Sequence, residues 1–166
     1  MTADDAPVFV SSDATRSVFD WAAAIAALQE AYAAPTDRSA LPNRSVANGR
    51  GAWLRTPPAI PATGRYFGTK VMAMAPTAPE PGVEYVIVLF DRETSRIAAF
   101  VDGNLVTGYR TAATSAAALD RLVAPGAHTL GVLGSGLEAS MHTRAIASIR
   151  PLERVTVFSP TPARPA

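Results

Sequence analysis

Cysteine is absent from the 166 residues, which excludes disulfides and thiolate metal sites. Histidine occurs only at His128 and His142, too little material for a histidine-built metal centre. Neither sign of charge is in excess: the formal net charge is +1, which gives no reason to expect a nucleic-acid or membrane-surface partner. No stretch approaches the ~20 consecutive apolar residues that span a bilayer. The opening segment carries Asp4, Asp5, Asp13 and Asp20 without an apolar core, which argues against a secretory signal. What remains is an ordinary globular composition with 48% hydrophobic residues. The expectation is a soluble, cytoplasmic protein of one domain, or of one domain and part of another.

Along the chain, residues 1–18 read as a polar lead-in. "DWAAAIAALQEAYAA", Asp20 to Ala34, reads as a helix capped by Asp20, with Trp21, Ile25, Leu28 and Tyr32 on one face. Loop chemistry follows, with one or two short extended pieces and a short strand in "AWLRTPPAIP". "RYFGTKVMAMAP" is a candidate strand, and "VEYVIVLFD" is the clearest one, rich in β-branched and aromatic residues. "RETS" turns the chain. "RIAAFVDGNLVTG" predicts two strands joined at "DGN", because Asp-Gly favours tight hairpins. A helix is predicted from about Arg110 to Val123. "HTLGVLGSG", "LEASMHTRAIASI" and "RVTVFS" then read as strand, Gly-rich turn, helix and strand, a βαβ unit.

The turn in that unit, Gly134-Ser135-Gly136-Leu137-Glu138-Ala139, has the G-x-G-x-x-A form of a dinucleotide-binding loop. The first glycine permits the tight turn, the second lets backbone approach a pyrophosphate, and the small third residue lets helix and strand pack closely. The helix N-terminus presents free N–H groups to the anion. The motif alone is weak, and its strand–turn–helix–strand context strengthens it. An ordinary Gly-rich turn of an α/β fold is the alternative. Where NAD enzymes carry an acidic residue at the end of the second strand, this sequence has Ser159. Ser159, Thr161 and Arg164 are candidates to hold a 2′-phosphate, which tilts the expectation toward NADP over NAD; frayed coil is the other reading of that tail. One βαβ unit leaves a sheet edge and an apolar face uncovered, so the sequence predicts a truncated Rossmann domain or one completed by another chain.

The blocks "LPNR", "GTKVMAMAP", "VIVLFDRETSRIAAFVDGNLVTGYRTAATSAAA" and "LGVLGSGLEASMHTRAI" together resemble the ornithine cyclodeaminase/mu-crystallin family over most of residues 20–162. The resemblance implies an α/β protein in two parts. Residues 1–109 would form an N-terminal helix and an antiparallel-sheet domain for substrate and dimerisation. Residues 110–166 would form a connecting helix and the first βαβ unit of an NAD(P)-binding Rossmann domain. It further implies NAD(P)-dependent chemistry at the α-carbon of a small amino or imino acid, of ornithine cyclodeaminase, alanine dehydrogenase or ketimine reductase type, in a homodimer. By motif, Arg44 matches an arginine that binds substrate carboxylate. Lys70 matches a lysine that binds the carboxylate or assists proton transfer, and is the candidate catalytic residue. Arg110 matches an arginine shared between substrate and cofactor. Tyr85, Leu137 and Glu138 match positions lining the nucleotide.

Read at a helix start, Arg110 would reinforce the N-terminal dipole toward a carboxylate or phosphate, with Thr111 adding a neutral donor. Each of these residues also has a bland alternative: a loop arginine at 44, a bridging ion pair at 110. An inward Lys70 is harder to dismiss, because a buried lysine is costly unless paired. Two departures from the family pattern, Ala73 for asparagine and Glu138 for glutamine, weigh against ornithine cyclodeamination. The competing functional class is a non-catalytic dimerisation or small-ligand-binding module, including a nucleotide-regulated ligand carrier.

Overall fold

A computed structural model of the chain describes residues 6–35, 37–76 and 82–160. Contacts divide it into two compact units, residues 1–18 with 34–106, and residues 19–33 with 107–166.

The first unit is built on a seven-stranded sheet. Its strands are β1 (Val8–Val10), β2 (Ser45–Gly49), β3 (Ala52–Thr56), β4 (Pro58–Ala59), β5 (Tyr66–Met74), β6 (Val83–Asp91) and β7 (Ile97–Asp102). The order is β1-β7-β6-β5-β3-β2, with β4 also on β5. All pairings are antiparallel except β1 with β7. The lead-in expected at residues 1–18 is therefore corrected. Val8–Val10 is a parallel edge strand, and Ser12–Val18 is a short helix, α1. Neither has a strong local signal; β1 owes its conformation to backbone pairing along β7.

β5 and β6 pair in register through nine residue pairs, from Tyr66–Asp91 to Met74–Val83. Gly68 belongs in β5 because a Cβ there would overlap the Val88 carbonyl of β6. The turn after β6 is organised by Asp91, which is only 5% exposed. Its carboxylate accepts hydrogen bonds from Arg65 Nε at 2.6 Å and from the backbone N–H groups of Glu93 and Thr94, each at 3.0 Å. The Arg65 hydrogen bond, followed by that of the Thr94 backbone, holds the Asp91 carboxyl down to about 2.

"DGN" is not a hairpin. The chain leaves β7 at Asp102 and enters a helix at once, α3 (Gly103–Leu122). Asp102 Oδ1 accepts the Asn104 N–H at 2.9 Å, and Ser12 donates to Oδ2 at 2.7 Å. Gly103 is small because a Cβ would lie 2.8 Å from the Tyr85 Cβ. Aspartate serves here as a helix cap and glycine as a close-contact residue, two uses of the dipeptide that compete with the hairpin reading. The helix expected to open at Arg110 thus begins seven residues earlier, and Arg110 is its eighth residue.

In the second unit, α2 (Trp21–Ala33) is capped by Asp20, whose carboxylate accepts the Ala23 N–H at 2.8 Å. Phe19 stacks on Tyr109 with ring centroids 3.8 Å apart, and Trp21 meets both edge-on. Ala112, Ala113, Ala116 and Ala117 form a buried stripe on α3. Asp120 ties three segments together: it accepts from Gln29 at 3.0 Å and from Arg150 at 2.8 Å. Those two partners, Gln29 first, hold its carboxyl below the usual range. Strand β8 (His128–Leu133), helix α4 (Leu137–Ala147) and strand β9 (Leu152–Phe158) follow, with β8 and β9 parallel. This is the start of a Rossmann fold, as the sequence predicts. Among the described residues no helix is long and apolar enough to cross a membrane.

Candidate functional site

On the sheet unit, Lys70 sits in β5 opposite Ile87 of β6. Residues directly paired across strands share a face, and every second residue returns to it, so Lys70, Met72, Tyr85 and Ile87 project to one side. Lys70 is half-buried. Its Nζ lies 4.9 Å from the centroid of the Tyr85 ring, a cation–π distance. The structure thus brings two expected site residues, Lys70 and Tyr85, together. The root of the Tyr85 side chain is in turn covered by Gly103. Arg44 is exposed and immediately precedes β2, an edge strand separated from β5 by β3.

Two further features belong to this face. Lys70 is the one lysine among 15 basic residues, so a single position in the chain offers a compact ammonium in place of a guanidinium. Arg55, on β3 between the strands of Arg44 and Lys70, is half-buried. Its alternation with Trp53 was visible in the sequence; the strand pairing that places it beside Lys70 was not.

In the second unit, Gly134 has φ 112°, a conformation that L-residues rarely adopt. Its N–H donates to the Phe158 carbonyl at 2.8 Å, which fixes the turn to the end of β9. Gly136 is the N-cap of α4 in extended conformation, with no side-chain cap. A Cβ at either glycine would meet nothing within 4 Å. Uncapped N–H groups with open space before them suit the pyrophosphate of a dinucleotide. A cavity of about 390 Å³ adjoins the turn, lined among others by Ser135, Gly136, Ser140 and Arg144.

Leu137 and Glu138 occupy the first turn of α4, both exposed. Glu138 Oε2 lies 3.6 Å from His142 Nε2, one turn along the helix. Ser159 stands just after β9 and accepts a hydrogen bond from Ser135 at 3.0 Å. Thr161 and Arg164 lie outside the described residues. Thr111 donates to the Thr107 carbonyl at 2.6 Å, so its hydroxyl hydrogen is used within α3. Arg110 is exposed in the body of α3, which removes the helix-start dipole as a reason for its charge. His128 Nε2 is 2.9 Å from the Ala124 carbonyl oxygen. Among the described residues no group of three His, Asp or Glu side chains could hold a metal ion.

The chain thus combines a lysine-bearing, mostly antiparallel sheet with a parallel βαβ unit that carries a Gly-rich turn of dinucleotide-binding form. The chain belongs to the ornithine cyclodeaminase/mu-crystallin family, whose model matches residues 15–165. It is 41% identical over 76 residues to the iminosuccinate reductase of Paracoccus denitrificans strain Pd 1222, covering 46% of this chain and 24% of that protein. It is 28% identical over 165 residues to the Delta(1)-pyrroline-2-carboxylate reductase of the same strain, covering 95% of this chain and 50% of that protein. A crystal structure of the Paracoccus denitrificans iminosuccinate reductase in complex with NAD+ superposes with a TM-score of 0.78 at 26% identity, over 94% of this chain and 50% of that one. The fold also matches a probable ornithine cyclodeaminase from Bordetella pertussis Tohama I, with a TM-score of 0.83 at 24% identity, over 95% of this chain and 50% of that one. The chain therefore spans at most 50% of the length of the two curated reductases.

Proposed function

We propose that this chain carries the substrate-anchoring face and the pyrophosphate turn of an NAD(P)-dependent reductase of an α-imino carboxylic acid. The observation that carries the reading is the α4 N-terminus: an uncapped helix start behind two glycines that front open space. In this reading the N–H groups of that first turn hold the pyrophosphate, with Leu137 and Glu138 along the nucleotide and Ser135 and Ser159 at the adenosine ribose. Once bound, the nicotinamide supplies the hydride. Lys70, oriented by the ring of Tyr85, binds the substrate carboxylate or delivers a proton to the imine nitrogen. Arg44 adds positive charge for the carboxylate on the sheet unit, and Arg110 with Thr111 serves the cofactor on the βαβ unit. Anchoring and orientation are the protein's main contribution.

The relatives' names leave the acid open: iminosuccinate has two carboxylates and pyrroline-2-carboxylate one. No carboxylate closes the described end of β9, where Ser159 pairs with Ser135. A 2′-phosphate meets no fixed negative charge from that pair, which supports NADP beside NAD. The reading includes a homodimer, as the resemblance implies, and a cytoplasmic location, as the sequence composition leads one to expect.

NADPH and NADH titrations of the purified chain, followed by Trp21 and Trp53 fluorescence, test the proposal. Saturable binding is expected, weakened about tenfold or more by Gly136→Val, the equivalent of losing one charge-assisted hydrogen bond. Flat titrations with both nucleotides would overturn it.

A further inference from the structure

Arg55 stands directly opposite Met72 across the β3–β5 pairing. Lys70 is two residues from Met72 along β5, so Arg55 and Lys70 project from the same face as diagonal neighbours, about 7–8 Å apart in general sheet geometry. Both are half-buried. Each lies over an aromatic ring: the Arg55 guanidinium carbon is 5.3 Å from the Trp53 centroid, and Lys70 Nζ is 4.9 Å from that of Tyr85. Arg55 Nε also reaches the Met72 sulfur at 3.4 Å. A covered guanidinium ordinarily faces a carboxylate. Among the described residues, the contacts of Arg55 are a thioether and an indole, and neither neutralises its charge.

One sheet face thus presents two cations of different geometry, an ammonium and a planar fork suited to bidentate carboxylate binding. With the substrate α-carboxylate assigned to Lys70 under the proposed function, Arg55 is the cation whose contacts among the described residues leave its charge uncompensated. We infer that the ligand of this face is a short dicarboxylic α-imino or α-amino acid, with its α-carboxylate at Lys70 and its second carboxylate at Arg55. Arg55 is then the residue that separates dicarboxylic from monocarboxylic substrates. A monocarboxylate would leave it desolvated without a counter-charge, a penalty that discriminates more sharply than lost packing. This inference rests on the carboxylate-anchoring reading of Lys70.

The test compares L-aspartate with L-alanine, which differ by the side-chain carboxylate. The full chain is titrated with each, following Trp53 emission and the NMR signals of 13C-lysine, which report Lys70 alone because the chain has no other lysine. L-aspartate is expected to bind about tenfold to a hundredfold more tightly, the range of one charge-assisted hydrogen-bonded pair. Arg55→Leu should bring that ratio near one, and Arg55→Lys should restore part of it. Equal binding of the two amino acids by the unaltered chain would overturn the dicarboxylate inference alone, as would a preference that survives in Arg55→Leu. If Arg55→Leu does not fold, the unaltered chain and Arg55→Lys decide: the preference must be present in the first and reduced in the second. Lys70 signals unmoved by either amino acid would overturn the anchoring reading and this inference with it.

Discussion

Gly103 and Gly136 each stand at the start of a helix, and the structure uses their missing side chains for opposite purposes. At Gly103 a Cβ would press on Tyr85 at 2.8 Å, so the space is already filled by protein. At Gly136 nothing lies within 4 Å, so the space is open to a ligand. The caps differ in the same sense. Asp102 bonds the Asn104 N–H at the start of α3, whereas the start of α4 has no side-chain cap. A helix N-terminus satisfied from within is structural; one left uncapped behind open glycines keeps its N–H groups for an anion. Glycine before a helix therefore means little until the surrounding atoms are known.

The sharpest way to break this contrast is to add a small apolar side chain at each place. Gly103→Ala should destabilise the sheet unit by about 1–3 kcal/mol, the usual cost of overpacking, read as a lower denaturant midpoint at unchanged slope. Gly136→Val should change stability by no more than about 0.5 kcal/mol, because its φ of −83° and ψ of −173° are extended backbone that valine accepts. Its penalty should appear in nucleotide binding instead. A destabilised Gly136→Val together with a neutral Gly103→Ala would reverse the assignment of the two helix starts.

The same contrast shows which parts of the protein could be read from the sequence. β6 was plain, because Val83–Asp91 combines strong β propensity with flanking turns, and the structure gives that span. The βαβ unit was plain because its signals are local: two glycines, an apolar strand before them and a helix after. "DGN" misled because Asp-Gly is favourable both in a tight turn and as a cap followed by a close contact, and only the position of Tyr85 decides between them. That one error displaced the start of α3 and with it the explanation offered for Arg110. β1 was missed because three residues carry no period, and their strand conformation comes from pairing with β7. Arg55 was passed over for a related reason. Its residue type is visible in the sequence, but its neighbourhood depends on the register Arg55–Met72, a long-range fact. Chemistry carried by backbone in a turn is legible locally; chemistry carried by side chains on a sheet waits for strand pairing.

The smallest expected effect concerns acid. The Asp102 carboxyl is held below its ordinary value of 3.8, chiefly by the Asn104 N–H and then by the Ser12 hydroxyl. Because the folded state lowers this pKa, the ionised cap stabilises fully above about pH 3.8, and that stabilisation fades as pH falls through the lower folded value. At neutral pH, Asp102→Ala should cost about 0.5–2 kcal/mol, the range for losing an N-cap. Amide hydrogen exchange can separate the two helix starts. Below pH 3.8 the protection factor of the Asn104 amide should fall toward that of the Asp102→Ala variant. The amides at Leu137–Ala139 have no carboxylate cap to lose, so their protection should not follow the same titration. If both sets lose protection together, the acid step is global unfolding, to which Asp91 also contributes as its carboxylate is protonated near pH 2. If only Asn104 responds, the start of α3 is stabilised locally by its aspartate cap, which the start of α4 lacks.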